Sequence, residues 1–131
     1  MRMTRKHKII LAVIGKMGTN LTNTELMNYL FLYTREQCCP EFDFVPYKYG
    51  CFSFEAYHEI AALLNNGIIS FTDQVYSLAP GGQAPELNDL EDRAAIWRVH
   101  RNYKDLRGMD LLRKNFTDYP YYAIGCTGAP S

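Results

Sequence analysis

The chain has 131 residues, 47% of them hydrophobic, enough for one sizeable core and too few for two ordinary domains. Fourteen basic residues balance fourteen acidic ones, which excludes the broad attraction to nucleic acid or acidic membranes that a strongly basic protein shows. Polar recognition, if the chain performs any, is local.

The opening MRMTRKHKIILAVIGKMG places basic residues before the apolar run Ile9–Ile14, the outline of a secretory signal. That run is short, Lys16 interrupts it and no small-residue cleavage site follows, so it reads as a buried first helix over 5–17, ended by Gly18. Apolar residues nearly all round, at Ile9, Ile10, Leu11, Val13 and Ile14, predict a central position. No other stretch is long enough to span a bilayer. Adjacent Cys38 and Cys39 cannot readily share a metal or a disulfide, and together with Cys51 and Cys126 they fit a reducing cytoplasm.

Thr22 and Glu25 form a capping box, each side chain satisfying an amide of the other's turn. Leu26, Leu30 and Tyr33 then recur at helical spacing, giving a second helix to about residue 37. Pro40 and Pro46 make the next stretch helix-poor, and Phe42, Phe44 and Val45 suit an extended arm. The arm leads into FVPYKYGCFSFEAY, with six aromatic rings in fourteen residues. Phe42, Phe44, Phe52, Phe54 and Tyr57 are read as core, since large aromatics usually contribute through burial. Tyr47, Lys48 and Tyr49 are read differently: a cation flanked by two phenols just before a helix start suits an exposed recognition element.

Ser53 caps a third helix, FEAYHEIAALLNN, which Gly67 stops. At 100° per residue, Ala56, Tyr57, Ile60, Ala61, Leu63 and Leu64 share one face, while Glu55, His58, Glu59, Asn65 and Asn66 fill the other. His58 and Glu55, one turn apart, are expected to share a surface hydrogen bond. Strands follow at Ile68–Phe71 and Val75–Leu78 around the turn Thr72-Asp73-Gln74. After the Pro/Gly-rich linker at 79–86, a long helix over about 86–106 and a shorter one near 109–116 complete a domain over 1–124. The tail 125–131 has no periodicity and is expected to contribute little to stability. The fold class is therefore mainly α (α+β): a winged-helix-like three-helix core with a short β-hairpin and additional C-terminal helices. Ile10, Val13, Ile14, Leu26, Leu30, Phe54, Ile60, Leu64 and Trp97 are expected to be buried.

VPYKYG followed by CFSFEAYHEI, the preceding ELMNYLFLYTRE and the later YPYYAI together resemble the N-terminal domain of bacterial proteins, many from Bacteroides-like organisms, that carry a further domain of unknown function. More loosely, the chain is similar to the Panacea domain of SocA-like, phage-associated antitoxins. The resemblance implies a cytoplasmic regulatory or antitoxin-like module that works by contact with a protein or with a downstream domain.

Charge distribution bears on the rival reading, DNA binding. A winged helix normally reads DNA with the helix before the wing, aided by basic residues in the wing. Here no lysine or arginine occurs from Tyr49 to Asp92, and the net charge runs +3 over 1–48, −7 over 49–92 and +4 over 93–131. An acidic face repels phosphates. Glu55, His58 and Glu59, with Tyr47, Lys48 and Tyr49, are accordingly the candidate protein-binding residues, facing a basic partner. The alternative is a nucleic-acid surface on the C-terminal helix, where Arg93, Trp97, Arg101 and Lys104 group on one side and the indole can stack on a base. Packing of Trp97 on the core or on a partner, with arginine stems along it, is the preferred reading of that group; the same patch suits the acidic face of a second copy, forming a homodimer. No nucleophile motif, phosphate loop or metal-ligand spacing is present, so neither an enzyme nor a cofactor or metal is expected.

Overall fold

A computed structural model describes residues 2–18, 20–37, 40–47, 50–82 and 84–123. Three helices come first, with a small hairpin before the third: α1 (Arg5–Lys16), α2 (Asn23–Arg35), β1 (Val45–Tyr47), β2 (Gly50–Phe52) and α3 (Phe54–Asn65). A second hairpin, β3 (Ile69–Thr72) and β4 (Val75–Leu78), leads to α4 (Leu90–Tyr103), α5 (Gly108–Asp118) and a short 3-10 turn at Pro120–Ala123. The fold is thus mainly helical with two small antiparallel sheets, and no helix among the described residues is long and apolar enough to cross a membrane.

Local chemistry sets these boundaries. Both Thr4 with His7 and Thr22 with Glu25 form reciprocal caps, and Ser53 Oγ accepts the Ala56 amide at 3.1 Å. Gly18 and Gly67, at φ +96° and +70°, leave α1 and α3 through the left-handed region that a Cβ disfavours. The long C-terminal helix starts later than its predicted residue 86, because Asp89 accepts the amides of Glu91 and Asp92 and the preceding residues run as a strap along α1.

α2 is the central element, buried continuously from Glu25 to Thr34, and α1 packs on it through Ile9–Ile14. Ile10, Val13, Ile14, Leu26, Leu30 and Ile60 are buried as expected. Polar contacts seat α5 against α2: Gly108 N donates to Glu25 Oε2 at 2.9 Å, buried Asn115 donates to Asn28 Oδ1 at 2.5 Å, and Tyr29 donates to the Leu106 carbonyl.

The arm forms β1 and β2, with Val45 opposite Phe52 and Tyr47 opposite Gly50. In the second hairpin Phe71 faces Tyr76. Its turn is tighter than expected, two residues rather than three, with Asp73 and Gln74 both at positive φ, as the hairpin twist favours. Leu21, between α1 and α2, exchanges both backbone hydrogen bonds with Tyr76, which ties the hairpin to the helical core.

Candidate functional site

Three features fix the orientation of α3: the Ser53 cap, a buried line of Ala56, Ile60 and Leu63, and two carboxylates turned toward α1. Glu55 Oε2 takes a hydrogen bond from Lys6 Nζ at 3.1 Å, and its Oε1 takes the Asp43 amide at 3.0 Å. The Asp43 amide first, then Lys6, hold the Glu55 carboxyl below its ordinary range. Glu59 Oε2 lies 2.5 Å from Nε2 of His7. His7 Nδ1 accepts the Thr4 amide at 3.1 Å, which turns Nε2 toward that carboxylate.

Glu55 and His58 are exposed and Glu59 is half-buried, so the polar side of α3 stays at the surface, but Glu55 bonds Lys6 and Asp43 rather than His58 and Glu59 faces His7. The physical reason is that α1 offers a cation and an imidazole within reach of both carboxylates. Tyr47 lies in β1; Lys48 and Tyr49 fall outside the described residues, as do Cys38, Cys39, Cys126 and the 125–131 tail.

Part of the apolar face of α3 points outward as well. Phe54 is 67% exposed and Tyr57 53%, contrary to the expectation that both fill the core, and Leu64 is only partly buried. The Phe52 ring joins Phe54 and Tyr57, its centroid 4.9 Å from the former and 5.8 Å from the latter. On the hairpin, half-exposed Phe71 packs 4.6 Å from Tyr76. Burial first, and then Tyr57, push the Tyr76 hydroxyl upward, and α3 packs against β3. Exposed aromatic rings thus lie both at the start of α3 and on β3 of the adjoining hairpin. Asp73 is exposed at the hairpin turn, and neither α3 nor the hairpin contains a lysine or arginine.

The second candidate patch is partly assembled. Trp97 is 52% exposed, not buried, because the inner face of α4 is taken by Asp92, Ala95, Ile96 and Val99. The Arg101 guanidinium sits 4.8 Å above the indole, and Lys104 is exposed nearby in sequence. Arg93 is diverted: it donates to the Leu87 carbonyl and stands 4.0 Å from Glu86. Comparisons with protein-family models, curated proteins and solved structures find no match. Among the described residues no three histidines, cysteines or carboxylates converge as metal ligands would.

The sequence carried one unread signal for this site. Thr4-x-x-His7 has the spacing of a capping box, and such a cap turns the imidazole back along the first turn of α1, where Glu59 meets it.

Proposed function

We propose that the chain is a non-catalytic, winged-helix-like interaction module of regulatory or antitoxin type, acting in the cytoplasm through the aromatic surface of α3 and the β3–β4 hairpin. The observation that carries this reading is the exposure of Phe54 and Tyr57 on a helix whose opposite side is anchored to α1. Covering a phenylalanine fully is worth about 1.5–3 kcal/mol, and clustered exposed aromatics are typical of surfaces that a partner covers. Because the hairpin turn offers the exposed Asp73 and neither α3 nor the hairpin contains a lysine or arginine, the fitting partner combines apolar side chains with lysine or arginine. A basic protein, a downstream domain or α4 of a second copy has that chemistry.

The test is to purify the tagged chain from its own host beside the Phe54→Ser/Tyr57→Ser variant. A protein held stoichiometrically by the native chain and lost from the variant supports the reading; one retained equally by both refutes it.

Exposure of Trp97 beneath Arg101 favours a second reading, nucleic-acid binding at α4. Replacing Arg101 and Lys104 by glutamine then weakens retention of single-stranded oligonucleotides and flattens its salt dependence.

A further inference from the structure

On the side of the molecule formed by α1, β4 and α4 runs an open groove of about 640 Å³, within the size range of small-molecule sites. Its floor is apolar, with Ala12, Leu78 and Ile96 contributing. The strap after the hairpin forms one wall and is held close by Gly15, where an added Cβ would meet the Ala84 Cβ at 2.8 Å. Glycine is thus required for strap and helix to approach and shape the groove.

Charge at the rim is mainly positive. Lys16, Arg93 and Glu86 line the groove, two cations against one carboxylate, and Lys16 has no hydrogen-bond or ion-pair partner among the described residues. Arg93 is oriented by its bond to the Leu87 carbonyl, while its pairing with Glu86 is loose at 4.0 Å, with the glutamate side chain 92% exposed. Burial first, then Lys16 and Lys104, hold the His100 imidazole below its ordinary value, consistent with a local excess of positive charge.

We propose that this groove binds a small amphipathic carboxylate, its apolar body on Ala12, Leu78 and Ile96 and its carboxylate paired with Lys16 and Arg93. A planar guanidinium matches a carboxylate in two parallel hydrogen bonds. A floor of methyl and aliphatic groups discriminates against small, fully hydrated anions. None of Phe52, Phe54, Tyr57 and Phe71 lines the groove.

Octanoate and its uncharged counterpart octan-1-ol, titrated into the ¹⁵N-labelled full chain, test the assignment by amide shift changes. The expected result is saturable shifts at Ala12, Gly15, Leu78, Ala84 and Ile96, with octanoate about tenfold tighter than octan-1-ol, the difference one charge-assisted contact supplies. Lys16→Gln, which removes no hydrogen bond from the fold, is expected to narrow that ratio, and Leu78→Glu to abolish octanoate binding. Saturation elsewhere, no saturation, or equal affinity for the two compounds in the native chain overturns the assignment. So does a Lys16→Gln variant, with native-like amide dispersion, that keeps the full preference for octanoate.

Discussion

Asp92 is 2% exposed and accepts three hydrogen bonds: from Arg5 Nε at 3.0 Å, Arg5 Nη2 at 2.9 Å and Gln37 Nε2 at 3.1 Å. Burial opposes its ionisation, but Arg5 first, then Tyr33 and Gln37, outweigh it, so the carboxyl titrates below its ordinary range. A depressed carboxyl contributes its full stability above the unfolded value of about 3.9 and loses it as pH falls through the folded value. Asp92→Asn is expected to cost about 1–3 kcal/mol at neutral pH and to remove part of the acid limb of stability. Urea unfolding at a series of acidic to neutral pH values measures both; an unchanged acid limb would assign that limb to other groups. Glu59→Lys, facing His7 with a cation, is expected to lower the melting temperature by a few degrees, whereas His58→Lys on the exposed side leaves it unchanged. None of these pairings was legible in the sequence. Arg5 and Asp92 are 87 residues apart, and ion pairs across such distances leave no periodic trace.

At the scale of elements, signals confined to one turn were readable. The Thr22–Glu25 box, the Ser53 cap and the Gly67 stop all appear where their chemistry places them. The rotation of α3 was not, because its apolar arc is wider than the line that α1 and β3 cover. Hydrophobicity marks both Leu63 and Leu64, yet Leu63 is fully buried and Leu64 only partly so. Leu63→Ala is therefore expected to cost roughly 2–5 kcal/mol, and Leu64→Ala clearly less, as denaturant midpoints will measure; equal losses would mean that α3 sits as the simple wheel suggests. Glu25 serves two elements at once, capping α2 and receiving the Gly108 amide of α5. Glu25→Ala is expected to cost about 1–2 kcal/mol, the upper range for a lost cap, and to speed amide exchange at the start of α5 as well as α2.

For the whole molecule, the fold class and the order of the helices and the second hairpin were legible because helices, turns and punctuating glycines follow local rules, whereas the pairing of the expected arm into β1 and β2 was not. Nor was the outward placement of the rings of Phe54, Tyr57 and Phe71, because it depends on how α3 seats against α1 and β3. The two faces of the molecule differ accordingly, an aromatic face without basic residues on α3 and the hairpin, and an Arg/Lys-bearing helix at α4. Their separation makes the central claim testable in one measurement, amide hydrogen exchange of the chain alone and bound to the partner that co-purifies with it. Binding through the aromatic surface is expected to slow exchange over 51–58 and 69–77 and to leave 93–104 unchanged. Protection confined to α4, with 51–58 exchanging as in the free chain, would contradict the account and move the function to Trp97 and its neighbours.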